Sequence, residues 1–196
     1  MSQRLSENMD LKSKIKNLPK KDKEKILDII LFGSTVRGKE RPKDIDILLL
    51  FKEKEDMTTA YQVKKELEKT KKEVNIITKT YQTIGSKTFP AREAILAEGY
   101  SLFNEQGMAQ KFGFKNYTLF KYKLKGLNQS ERMRFHYSLY GRHREGGMLK
   151  TLKLTKFSDT ILLSPIEKTE ETREYLAHWK IIYTEMPILI PERINI

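Results

Sequence analysis

An acidic residue inside an apolar run constrains this chain more than any other feature. Asp44-Ile45-Asp46-Ile47-Leu48-Leu49-Leu50-Phe51 has the length and apolar content of a buried strand. On a strand Asp44 and Asp46, two residues apart, share one face. Asp46 interrupts the apolar run and needs a partner if buried. Two carboxylates side by side repel unless a divalent cation lies between them, and Mg²⁺ (or Mn²⁺) is the natural occupant. Upstream, the apolar run Ile26–Phe32 ends at Gly33-Ser34, and nine residues separate Ser34 from Asp44. A glycine there lets backbone approach a ligand closely. Ser34 adds a hydroxyl where a helix would start, so that N–H groups face a bound phosphate. Phosphate on the turn and metal on the carboxylates together describe a phosphoryl-transfer site.

The surrounding pattern is that of a small α/β unit. Ser6 to Lys16 reads as an amphipathic helix stopped near Pro19, and Ile26–Phe32 and Asp44–Phe51 read as strands. Thr58 to Thr70 has helical periodicity, Val74 to Thr78 reads as a third strand, and Pro90 fits the first position of a helix running to Glu98, stopped by Gly99. Gly107 and Gly113 bracket a seven-residue segment without periodicity, which marks a domain boundary. The division expected is residues 1–105 and 106–196. In the second part Asn116–Lys125 and Ser130–Tyr140 read as helices, with Ser130 as N-cap and Gly141 as C-cap. A βαβ-like unit follows, from Thr160 to Ile190.

The pattern hydrophobic-Gly-Ser, nine residues, then Asp-hydrophobic-Asp-hydrophobic resembles the DNA polymerase beta superfamily of nucleotidyltransferases. It looks most like the minimal (MNT-like) nucleotidyltransferases, whose core reads GSxxRG followed by DID. The likeness covers about residues 20–105 and includes the ending Glu98-Gly99-Tyr100-Ser101-Leu102-Phe103. It implies a small polymerase-beta-like sheet with flanking helices, in which Gly33 and Ser34 hold nucleotide phosphates and Asp44 and Asp46 bind metal. By the same likeness Arg37 assists at the phosphates. The superfamily usually adds a third carboxylate from the next strand. Here that place is Val74-Asn75-Ile76, and the Asn75 amide cannot take a proton from an attacking hydroxyl. That amide can still ligate Mg²⁺ weakly, and Glu73, of the same strand parity and longer reach though shifted by about 7 Å along the strand, is the alternative third metal residue.

Charge singles out the second part. The chain of 196 residues carries a net charge of +12, and residues 106–156 alone hold 12 Lys/Arg against 2 Asp/Glu. Such a block favours a polyanionic partner, most often nucleic acid. Between Lys111 and Lys125 five lysines interleave with five aromatics. On a helix Tyr117, Phe120 and Leu124 would share one face, with Lys121 and Lys125 on another. Arg132, Arg134, Arg142 and Arg144 continue the positive stripe, and arginine suits bidentate phosphate contact. The expected architecture is therefore α/β (α+β), with a basic second α/β domain that binds RNA or a partner protein.

With no cysteine, disulfide scaffolds, thiolate zinc sites and cysteine nucleophiles are excluded. No His pair has metal-ligand spacing, and His136 and His178 read as helix-packing residues. No apolar run approaches the ~20 residues of a membrane span and no secretory signal is visible, so a cytoplasmic protein that does not engage membranes is the expectation. The function expected is Mg²⁺-dependent transfer of a nucleoside monophosphate from an NTP to an acceptor hydroxyl. Its alternative is a degenerate fold that binds nucleotide or nucleic acid without turnover.

Overall fold

The computed structural model describes residues 11–39, 42–70, 72–142 and 146–195. The chain divides after Phe112, within the segment from Gly107 to Gly113, into two compact units, so residues 106–112 belong to the first.

In the first unit residues 11–16 are helical, and α1 (Lys20–Lys25) leads into β1 (Ile26–Phe32). A single turn, α2 (Ser34–Arg37), precedes β2 (Asp44–Phe51). The crossover helix α3 (Met57–Glu68) then returns the chain to β3 (Glu73–Thr80). Next come α4 (Arg92–Glu98), the short strands β4 (Tyr100–Ser101) and β5 (Gln106–Gly107), and α5 (Met108–Lys111). The sheet order is β3-β2-β1-β4-β5, with β2 and β3 parallel and the other pairs antiparallel. The parallel pair is the one joined by a helix, as parallel strands require a long crossover.

Both faces of this sheet are covered, which explains why β1 and β2 read as continuous apolar runs. Ile45, Ile47, Leu49 and Phe51 pack on one face with Val63 and Leu67 of α3 and with Leu11, Ile15 and Leu18. Leu48 and Ile30 pack on the other with Ile95 of α4, Phe89 and Met108. The α4 cover stops short of Asp44 and Asp46, which lie on Leu48's side of β2 and are half-buried. Helix α4 has Ala91 as its N-cap, so Pro90 lies outside the helix rather than at its first position. Gly99 ends α4 for a packing reason, since a Cβ there would come within 2.3 Å of the Ile95 carbonyl oxygen.

One buried charge ties the sheet extension together. A bulge at Leu27 of β1 turns Asp28 inward, where it is 3% exposed. Ser101 Oγ donates to the Asp28 carboxylate at 2.7 Å, Lys111 Nζ at 2.8 Å and Asn104 Nδ2 at 3.3 Å, and the Ile29 amide donates at 2.8 Å. Asp28 thus links β1 to β4 and α5 with its lone pairs satisfied. At the start of α3, Asp56 caps the helix by accepting from the Thr59 amide at 3.0 Å. The Lys25 ammonium beside it lowers the Asp56 carboxyl to about 2.

The second unit runs β6 (Phe114–Lys123), α6 (Gln129–Tyr140), α7 (Met148–Thr151), β7 (Thr155–Ser158), β8 (Ile161–Pro165), a 3₁₀ turn, α8 (Thr169–His178) and β9 (Ile182–Pro191). Its antiparallel sheet has the order β7-β8-β6-β9. Strands β8 and β9 both run antiparallel to the β6 between them, so β8-α8-β9 is a split βαβ unit. The expected helix over 116–125 is instead most of β6. In Phe120-Lys121-Tyr122-Lys123 the aromatics are buried and the lysines exposed, a period of two that places Lys121 on the outward side. Phe120 and Tyr122 pack with Phe135, Leu139, Leu162, Tyr175 and Leu176 in one core under α6 and α8. Helix α6 is capped by Asn128 rather than Ser130: Asn128 accepts from the Glu131 amide at 2.9 Å and Glu131 from the Asn128 amide at 2.8 Å. Buried hydroxyl pairs, Thr118 with Thr169 at 2.7 Å and Ser164 with Thr172 at 2.9 Å, join the sheet to α8.

Candidate functional site

The end of β1, the α2 turn and the start of β2 place four of the expected residues together. Gly33 adopts φ 74° and ψ −149°, a conformation essentially confined to glycine. A Cβ at Gly33 would stand 2.5 Å from Asp46 Oδ2, so only glycine lets the turn lie this close to the carboxylate. Ser34 begins α2, and the Val36 and Arg37 amides donate to the Gly33 carbonyl at 3.1 and 3.2 Å. Gly38, in the left-handed region at φ 101°, closes the turn through its amide to Ser34. The Thr35 hydroxyl donates to the Asp44 carbonyl at 3.5 Å and joins the turn to β2.

The parallel register of β2 and β3 sets Asp44 opposite Glu73 and Asp46 opposite Asn75. Asn75 Nδ2 donates to Asp44 Oδ2 at 3.1 Å and to Asp46 Oδ1 at 3.3 Å. One amide nitrogen, with its two hydrogens, thus serves both carboxylates and offsets part of their repulsion. Glu73 is exposed at the rim beside them. Arg37 turns to a different partner: its Nη1 donates to Glu98 Oε2 at 2.6 Å, and the Glu98 side chain is only 10% exposed. That contact pins the α2 turn to the end of α4.

Among the described residues no three His, Cys, Asp or Glu side chains cluster closely enough to hold a metal ion unaided. Two hard carboxylates spanned by a single donor nevertheless fit Mg²⁺. That ion is commonly held by one or two carboxylates together with substrate phosphates and water.

Residues 13–106 match the family model described as "Polymerase beta, Nucleotidyltransferase". The first unit carries a polymerase beta-type nucleotidyltransferase domain. Its fold is the mixed sheet with flanking helices described above. No curated protein matches the chain significantly. Among solved structures, the MntA–HpeT toxin–antitoxin complex, in a mutant form, is similar at 22% identity over 46% of this chain and 71% of the solved one, with a TM-score of 0.36. A complex of the Shewanella oneidensis tri-AMPylated HEPN toxin with MNT antitoxin is similar at 21% identity over 54% and 76%, with a TM-score of 0.35.

The basic residues of the second unit do not form one stripe. Lys121 lies on the outward side of β6, and Lys125 is in the exposed turn after it. Arg132 and Arg134 are both exposed on α6 but about 160° apart around the helix axis, at roughly 100° per residue. Arg142 follows α6 and lies over the Tyr137 ring, 4.4 Å from its centre. Arg144 falls outside the described residues. His136 and His178 are exposed rather than packed into a core, and the His136 ring rests against Tyr140 at 4.5 Å.

The Gly33 turn and the aspartate pair are visible in the sequence. The bridging role of Asn75 and the pairing of Glu98 with Arg37 are not. The signal for Asn75 was its parity with Asp46 once parallel pairing of the strands is assumed. Glu98 lies 61 residues from Arg37 in the chain, and no local pattern joins them.

Proposed function

We propose that this protein transfers a nucleoside monophosphate from an NTP to an acceptor hydroxyl in a Mg²⁺-dependent reaction. The observation that carries the reading is the Gly33 turn lying against the Asp44–Asp46 pair, a contact that any side chain at Gly33 would abolish. In this reading the α2 turn, with Ser34, orients the NTP phosphates, and Asp44 and Asp46 hold the metal. When bound, the metal supplies charge neutralisation to the phosphates undergoing displacement. Asn75 then has to release its two hydrogen bonds, which a simple rotation of its amide accomplishes. Arg37 and Glu98 keep the turn in place against α4. The excess of basic residues in the second unit favours RNA as the acceptor, and a hydroxyl on a partner protein is the other outcome of the test.

A second reading has its own support. Asn75 stands opposite Asp46, where an acceptor's proton would need a carboxylate, and an amide cannot take it. In that reading the domain binds NTP without turning it over. Incubation of the full chain with each α-labelled NTP, Mg²⁺ or Mn²⁺, and total RNA separates the readings. Label fixed covalently in RNA or in protein, with diphosphate released, supports transfer. NTP binding with no label in either supports the second reading. Asn75→Asp is the sharper probe, because an added base raises transfer by about 10²-fold or more where its absence limits the rate.

A further inference from the structure

A cleft of about 580 Å³ opens in the second unit between α6 and the β7–β8 hairpin. Arg132, His136 and Tyr140 enter it from successive turns of α6, at spacings of four, which puts them on one side of the helix. Lys156 of β7 and Asp159 face them, and Tyr122 of β6 lies at the base with its hydroxyl on the Asp159 carbonyl at 2.9 Å. Burial pushes the Tyr122 phenol up to about 12, so it stays a neutral donor over the physiological range.

The lining combines two chemistries. Arg132 is anchored through Nε to the Leu127 carbonyl at 3.0 Å, which fixes the plane of its guanidinium. Lys156 Nζ lies 5.6 Å from the centre of the Tyr140 ring and 2.7 Å from Asp159 Oδ1. Asp159 is 94% exposed, and an ion pair so open to water contributes little, so the ammonium can exchange it for an anion in the cleft. Arg132 and Lys156 together outnumber the one carboxylate. Beside them the Tyr140 and His136 rings, tilted at 41° with centres 4.5 Å apart, offer an aromatic surface. A bare inorganic anion would leave most of such a volume empty, because clefts of roughly 300–1,000 Å³ hold ligands of nucleotide size.

We propose that this cleft binds a nucleoside monophosphate group, either as free nucleotide or as the 5′-phosphorylated end of an RNA. The phosphate sits between Arg132 and Lys156, and the base lies against Tyr140 and His136. A terminal phosphate has the advantage over an internal one, since its second negative charge meets the second cation. The site is independent of whether the nucleotidyltransferase domain turns over its substrate.

The test uses the full chain and a short fluorescent ribo-oligonucleotide with either a 5′-phosphate or a 5′-hydroxyl, read by anisotropy, with AMP as competitor. The 5′-phosphate should raise affinity about tenfold, the effect of one or two charge-assisted hydrogen bonds. Arg132→Ala and Lys156→Ala should each remove that preference. Arg134→Ala, which removes the same charge from the opposite side of α6, should keep it. Thermal melts of all three variants, each at an exposed position, check that the unit stays folded. Competition by AMP, lost in Arg132→Ala, assigns the site to free nucleotide. A 5′-phosphate preference without AMP competition assigns it to RNA ends. The proposal is overturned if the two oligonucleotides bind alike and AMP does not compete, or if Arg134→Ala abolishes the preference as fully as Arg132→Ala.

Discussion

The two sheets distribute charge differently. In the five-stranded sheet three strand carboxylates occupy two defined places: Asp28, buried and bonded to Ser101, Asn104 and Lys111, and the Asp44–Asp46 pair bridged by Asn75. In the four-stranded sheet Lys121 and Lys123 alternate with buried aromatics along β6, and further cations are spread over opposite sides of α6. A charge held by several short bonds in a covered sheet acts at one point, and its loss is felt in full. Charges on a solvated surface act together, and the loss of one is a fraction of the whole. The first unit should therefore respond to single substitutions sharply and the second gradually.

The largest effect on stability is expected at Asp28. Asp28→Ala leaves the Lys111 ammonium without its buried partner and should cost about 3–5 kcal/mol in denaturant unfolding. An exposed change in the second unit such as Arg134→Ala should stay within about 0.5 kcal/mol. Comparable losses in the two variants would erase the contrast.

Gly33→Ala comes next. It forces a side chain into a φ that only glycine tolerates and against Asp46 Oδ2, at a cost of about 1–3 kcal/mol. NTP affinity, measured by calorimetry, should fall with it, because the turn can no longer lie against the carboxylates. Unchanged affinity would mean that the close approach has no part in binding.

The smallest effect belongs to the second unit, where RNA affinity should fall with salt as phosphate contacts release counterions. About five single-strand contacts give a log–log slope of roughly −3.5, and Arg142→Ala should reduce its magnitude by about 0.7. Arg142 serves as the probe because it is exposed and already held over Tyr137. A slope that collapses on this one change would show that the surface works through a single contact.

The same contrast governs what could be read from the sequence. Strands β1 and β2 are legible because a sheet covered on both faces demands continuous apolar runs, and Ile26–Phe32 and Asp44–Phe51 supply them. Strand β6 is harder, because Tyr117, Phe120 and Leu124 also satisfy helical spacing. Only the alternation at Phe120–Lys123 marks it as a strand, and pairing with β8 and β9 decides the matter. That Gly33, Ser34, Asp44 and Asp46 come together is legible because it depends on short spacings within one β-turn-β segment. Asn75, Glu98 and the network of Asp28 depend on which strands and helices become neighbours, and local periodicity holds no record of that.

The central claim is that Asp44 and Asp46 form a metal-dependent nucleotide site rather than a structural pair. NTP binding by the full chain, titrated with and without Mg²⁺ or Mn²⁺ in the wild type and in Asp44→Asn/Asp46→Asn, tests it most directly. The double variant removes two mutually repelling charges, so its melting temperature should match or slightly exceed that of the wild type. Metal-dependent NTP binding should be present in the wild type and absent from the variant. A variant that melts far below the wild type, or one that binds NTP with the same metal dependence, would contradict the account.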